Sequence, residues 1–421
     1  MSPRRPALAA PALALAASLV TSCAQFLDGD ADYNLAPGTT AAGGSGGSTT
    51  TGTGGGGGGG TTSTGTGGAT TITSDGGGGT GDTTGTGGTT TTSTTDTTDC
   101  QNADLQTSPI HCGACDHGCL GGQCDGGVCQ PRVLVEDLQL VRALALDGTH
   151  VYWLSGGDGN VERISKLGAG RELIADGQTD ARALLVDTAH VYWTDPVLKR
   201  VLQANKEAGA TVTPFANNVK EVRGLARTDQ AIVVTQGSPE GAVRKWPLDN
   251  TPALDLATGL ADPALVVTDA TWAHVVELLP GAADDQILRM PLDGSAAATV
   301  LASGLDLPRA LANDGTFVFW ASADGTVSRV SPAGAVLPIA SGADDATGVA
   351  ADVDHVFWTQ IAAGQGSLHR AAKDGSGPQQ LASGFVSPMS VLVDDQAIYW
   401  VEVGPMSGGL FLQGKIWILA K

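Results

Sequence analysis

From residue 147 onward the chain alternates short apolar runs with polar turns. The runs include Val151-Tyr152-Trp153, Val191-Tyr192-Trp193, Val318-Phe319-Trp320, Val356-Phe357-Trp358 and Ile398-Tyr399-Trp400. Short runs rich in β-branched and aromatic residues, apolar without strict alternation, read as strands buried on both faces. Each follows a few residues behind an aspartate: Asp147, Asp187, Asp314, Asp352 and Asp394. Three of the copies are weaker: Asp229 before Ile232-Val233-Val234, Asp269 before Trp272, and Asp314 before Val318-Phe319-Trp320. Seven copies at a period of roughly 41 residues predict an all-β, seven-bladed β-propeller, because a single unit cannot bury its own faces and stacked neighbours can. The first blade serves as template, with strands expected at residues 143–146, 150–154, 161–165 and 172–175.

Turn residues repeat with the blades. Gly177, Gly259, Gly304, Gly342 and Gly384 follow the fourth strands, where a residue without Cβ most easily takes a positive φ, and Asn218 fills that place in the second blade. The segment before the first blade matches the one before the last at equal spacing, so that Pro131 through Asp147 aligns with Pro378 through Asp394. The last blade reaches Lys421 with only three strands of its own. Val133 to Glu136 are therefore expected to supply the fourth and close the ring.

Tyr192-Trp193-Thr194-Asp195 spells a complete Tyr-Trp-Thr-Asp motif. Elsewhere its last two residues change to Leu154-Ser155, Thr235-Gln236, Ala321-Ser322 and Thr359-Gln360. Over residues 133–421 the repeat resembles the YWTD and NHL group of propellers, whose YWTD members usually have six blades where this chain has seven. The resemblance implies a fold more than an activity. An arginine recurs in the third strands at Arg163, Arg200, Arg244, Arg289, Arg329 and Arg370, which fits the family pattern. A structural role, pairing with the periodic aspartates, is expected for it.

The region before the propeller has three parts. Arg4-Arg5, an apolar stretch over residues 7–20 and Val20-Thr21-Ser22-Cys23 form a secretion signal too short to span a bilayer. Its end resembles the bacterial lipobox, which implies lipidation of Cys23, export and anchoring to the cell envelope, with the outer membrane expected. Residues 23–98 carry the lipidated end and a Gly/Thr/Ser-rich tether that cannot bury enough apolar surface to order itself. Residues 99–130 hold Cys100, Cys112, Cys115, Cys119, Cys124 and Cys129, an even number in an exported chain and hence three expected disulfides. Gly and Asp fill the spacings, so no core is expected within the module. His111 and His117 beside Cys112 and Cys115 make zinc the competing reading. The pattern loosely resembles small Cys-rich modules of secreted bacterial proteins and of the plant stigma-specific family.

Chemistry is sparse. His150, His190 and His355 share one blade position, and a group repeated in this way is structural, which leaves His274 and His369 in the propeller. No Gly-x-Ser-x-Gly elbow, phosphate loop or dinucleotide fingerprint is present. Candidate binding residues fall where the repeat breaks. Blade four carries Trp272, His274, Glu277, Asp284 and Asp285, and blade seven a long hairpin with Glu402, Met406 and Phe411. Glu277, Asp284 and Asp285 suit Ca²⁺ or Mg²⁺ chemically, although no cofactor is expected. A net charge of −20 argues against nucleic acid and anionic surfaces as partners. The leading reading is a lipid-anchored scaffold binding protein or glycan. The alternatives are a metal-dependent lyase or lactonase-like enzyme and a purely structural envelope module.

Overall fold

The computed structural model describes residues 103–421 except 282, 405, 408, 409 and 412, and only the backbone of 406, 407, 410 and 411. The signal, Cys23, the tether and Cys100 lie outside the described residues. Among those described there is no helix, and seven antiparallel four-stranded sheets make up the ring. In blade one the strands are Val141–Leu146, His150–Ser155, Val161–Ser165 and Glu172–Ala175. The first strand of each blade packs against the first strand of the next all the way round, including last to first, so first strands lie innermost. Blade seven consists of Pro388–Val393, Ala397–Glu402, Gly414–Ala420 and, outermost, Arg132–Leu138, which closes the ring as the repeat alignment implies.

The core is divided among the boundaries between blades, as stacked sheets require. Trp153, Trp193, Trp358 and Trp400 are fully buried, as are Tyr152, Tyr399, Phe319 and Phe357. The expected glycines take positive φ (Gly177 at 69°, Gly384 at 88°), as does Asn218 at 58°, but Gly259, Gly304 and Gly384 lie one residue inside the ends of their fourth strands and not after them. Blade seven has Asp137 at 58° in the corresponding place.

The periodic aspartate forms the turn between first and second strands. In blade one the Asp147 carboxylate accepts the N–H groups of Thr149 and His150, both at 2.8 Å, and its second oxygen accepts the Tyr152 hydroxyl at 2.7 Å. In blade three this place belongs to Thr228 and not to Asp229, because Thr228 N–H donates to Ala231 O as Asp147 N–H does to His150 O. Blade four is also shifted from the sequence reading. Trp272 stands where blades one, two and six have histidine, and His274 takes the tyrosine position, its Nε2 3.1 Å from Asp269.

Lysines, not the recurring arginines, neutralise four of these aspartates. Lys206, just after the third strand of blade two, reaches Asp147 of blade one at 2.7 Å. Lys373 reaches Asp314, Lys421 reaches Asp352 and Lys166 reaches Asp394, so the last of these pairs bridges the closing seam. The arginines point elsewhere: Arg163 pairs with Glu172, Arg244 with Asp255, and Arg370 donates to Gln379. Only Arg163, Arg289, Arg329 and Arg370 share a register, opposite Tyr152, His274, Phe319 and Phe357.

Burial disfavours the charged form of Asp147, but hydrogen bonds from Lys206, Tyr152 and the turn N–H groups outweigh it and hold the carboxyl well below its ordinary 3.8. Asp187, Asp269, Asp352 and Asp394 are lowered by the same balance. A depressed folded-state pKa contributes stability above the unfolded value that is lost as pH falls through the folded one. Asp285 and Asp345 are raised by burial and act in the opposite sense, but they are two against five. The urea midpoint is therefore expected to decline modestly below about pH 6.5, where burial of His150 and His369 disfavours their protonation, and to fall steeply below about pH 4. A midpoint unchanged between pH 5 and 2 would contradict this account.

Candidate functional site

Antiparallel strands put the connections of each blade at alternating ends of the ring. One end carries the aspartate turns. The other carries the second-to-third hairpins and the crossovers between blades. In blade four Trp272–Glu277 spans both, so the residues grouped there by sequence are divided by roughly 17 Å of strand. Trp272 and His274 lie near the aspartate-turn end, with the Arg289 guanidinium 4.6 Å from the Trp272 ring centre. Glu277, Asp284 and Asp285 lie at the hairpin end.

There the buried acids are committed to the backbone. Glu277 accepts Ala261 N–H at 2.6 Å and the Gln286 amide at 2.7 Å. Glu402, its equivalent in blade seven, accepts Val386 N–H at 2.8 Å and the Trp417 indole at 2.7 Å. Asp285 accepts Leu279 N–H with one oxygen and Leu307 N–H with the other. Burial, aided by the charges of Asp306 and Asp284, raises its pKa. Asp284 is exposed. Among the described residues these three acids do not converge as a ligand set; the one close group of potential ligands is Cys112, Cys119 and Cys129.

Those cysteines are used in disulfides. Cys112 is bonded to Cys124 and Cys119 to Cys129, and Cys115 is disulfide-bonded as well. The module has no core of its own but borrows one: Cys112, Cys119 and Cys129 are buried in the same cluster as Phe385, Trp400 and Leu419.

The hairpin end has two long connections, over 278–284 in blade four and 403–413 in blade seven, with Leu278 and Val403 at their roots packed into the core. In the second, Met406 pairs with Phe411 and Ser407 with Leu410 in a small ribbon of its own. Blade two adds an exposed apolar tip, Val197 at 65% and Leu198 at 53%. These two residues were not singled out from the sequence, since isolated apolar residues in a turn have no periodic signature.

Sequence reasoning also missed an inner ring of charge. Arg142, Arg182, Arg223 and Arg309 each stand five residues before the periodic Asp or Thr, at the hairpin end of the innermost strand. Each faces an acid on the following crossover. Arg223 meets Asp262 at 3.1 Å and Arg309 meets Asp345 at 2.8 Å, while Asp180 and Glu221 act electrostatically on Arg142 and Arg182. Where the inner position is Ala264, Thr347 or Met389, the crossover position is Leu307, Ser387 or Leu140. Equal spacing from the aspartate was the available signal. The pairing itself joins different blades and is invisible along the chain.

The chain matches no family model and no curated protein. Solved structures with a similar fold are known. A streptogramin B lyase is 12% identical with a TM-score of 0.51, over 69% of this chain and 98% of its own. The WD40 repeats of RRP9 are 13% identical with a TM-score of 0.53, over 69% and 97%. Virginiamycin B lyase from Staphylococcus aureus is 11% identical with a TM-score of 0.50, over 68% and 99%. At such identities the likeness shows the propeller fold alone, and lyases and WD40 repeats share it.

Proposed function

We propose that the protein is an exported lipoprotein, anchored through Cys23 to the cell envelope, whose propeller binds a protein or glycan with its hairpin end and performs no chemistry there. One observation carries this reading. The strand Arg132–Leu138 starts beside Ile418 near the aspartate-turn end, so the chain enters the ring there, and the long connections at 278–284 and 403–413 lie at the opposite end. A scaffold held from one end and presenting its irregular loops at the other is arranged for recognition away from the anchor. The commitment of Glu277, Glu402 and Asp285 to backbone N–H groups supports a binding role over an acid–base one.

The test shortens both connections to tight links, over 280–284 and 405–413, and keeps Leu278, Leu279 and Val403, which pack into the core or bond Asp285. Binding is measured on glycan arrays and by cross-linking on intact cells. The shortened protein is expected to melt normally and to lose its ligand, whereas a ligand retained with both connections shortened contradicts the reading. In parallel, Cys23→Ser is expected to move the protein from the membrane fraction to the soluble exported fraction, and retention on membranes contradicts the anchor.

A further inference from the structure

We propose that the disulfide module is a clasp for the ring: it holds the outermost strand of blade seven in place, and its bridges slow the opening of the closed propeller at that strand. The geometry is continuous. Only Gln130 and Pro131 separate the half-cystine Cys129 from the strand Arg132–Leu138. Cys129 is bonded to Cys119, and both are buried in the cluster that holds Phe385 of blade six and Trp400 and Leu419 of blade seven, with Leu381, Ala382 and Trp417 packed around it. The module therefore packs with the outermost strand of blade six and the second and third strands of blade seven, and its Leu120 also packs against the cluster that holds Leu134, Val135 and Leu138.

Two polar contacts fasten it further. The His117 ring lies between the carbonyl oxygens of Cys112 and Lys421, which joins the module to the end of the third strand of blade seven. Arg132, first residue of the closing strand, donates from Nε to Leu120 O of the module at 2.6 Å and from Nη2 to Lys166 O of blade one at 3.4 Å. Its guanidinium is enclosed by glycines: a Cβ on Gly121 would lie 3.1 Å from Nε, and one on Gly168 3.2 Å from Nη1. One side chain thus links the module, blade seven and blade one.

The location gives these contacts their consequence. Between blades seven and one the crossover end lacks the Arg–acid pair, since Met389 faces Leu140 across that boundary, and the other end has the Lys166–Asp394 pair. The chain crosses this boundary at Gln139 and Leu140, directly after the strand Arg132–Leu138, whose pairing with Gly414–Ala420 inside blade seven closes the ring. Each bridge forms when two thiols yield two protons and two electrons to a disulfide-bearing oxidant, which is reduced to its dithiol. Until then the Cβ and Sγ atoms of the shared cluster are not fixed in place, and the closing strand is held by its ladder and by Leu134, Val135 and Leu138 in the core.

The experiment is hydrogen exchange on the full chain, comparing native protein with the double variant Cys119→Ala/Cys129→Ala and with Arg132→Met, which leaves every cysteine in place. The expected result is exchange roughly tenfold faster or more in residues 132–138 and in their ladder partners at 414–418, with blades two to five keeping their protection. Unchanged protection of the closing strand in both variants would overturn the proposal, and so would a uniform loss across all seven blades. If the cysteine variant fails to fold, Arg132→Met decides alone.

Discussion

A chain beginning at Gln139 is expected to lose its cooperative thermal transition, while one beginning at Pro131, with the closing strand and without the module, still melts in a single step. The strand from Arg132 to Leu138 buries Leu134, Val135 and Leu138. At about 1.5–3 kcal/mol for each buried aliphatic side chain, these three contribute roughly 5–9 kcal/mol. That approaches the whole stability of an ordinary domain, about 5–15 kcal/mol. Loss of the strand also bares the edge of Gly414–Ala420, whose Trp417 and Ile418 are paired with Val133 and Arg132. Calorimetry and urea unfolding check the outcome. A chain from Gln139 that melted like the intact protein would show that blade seven does not need its fourth strand.

Asp147→Ala is expected to destabilise the ring by about 3 kcal/mol, whereas Asp229→Ala should change little, although the two look equivalent along the sequence. Removing the Asp147 carboxylate strands the turn N–H groups, the Tyr152 hydroxyl and the Lys206 ammonium, whose side chain is only 15% exposed. Breaking a buried pair on one side costs about 3–5 kcal/mol, and partial exposure puts this site at the lower end. The corresponding fall in melting temperature is roughly 6 °C or more. Asp229 is exposed, and Thr228 occupies the turn in that blade. Equal melting of the two variants would remove the turn from the account of blade cohesion. Lys206→Met should reproduce part of the Asp147 effect, since it leaves the carboxylate with its hydrogen bonds and without its charge partner.

Much of the ring was legible because its signals are local. An aspartate that accepts N–H groups two and three residues later, an apolar run that follows it and a glycine with positive φ all act within a few residues, and repetition makes weak signals strong. The same locality explains the errors. One residue of slippage between Asp229 and Thr228 is invisible when both are good turn formers, and only the hydrogen bond from Thr228 to Ala231 O distinguishes them. The arginines at Arg163 and its counterparts recur at blade spacing, as the lysines at Lys166 and Lys206 do, and periodicity does not say which of them reaches across a boundary.

Breaks in the repeat marked two lengthened connections, 278–284 and 403–413, because an insertion interrupts a regular period. The acids beside them were a different matter. Glu277 and Glu402 look like unrepeated charges in sequence, yet they hold one equivalent position and cap the crossovers at Ala261 and Val386. Whether a carboxylate meets a ligand or a backbone N–H depends on a loop that arrives from 16 residues upstream.

By itself the sequence determined the strand order, the number of blades, most of the turn residues and the strand that closes the ring, because hydrophobic period and turn chemistry act over a few residues and repeat. Only the tertiary structure decided which charges pair between blades, which acids are buried and satisfied, and that the module takes its core from blades six and seven. Those outcomes depend on surfaces brought together from distant parts of the chain, where the free energy belongs to a contact and not to a residue.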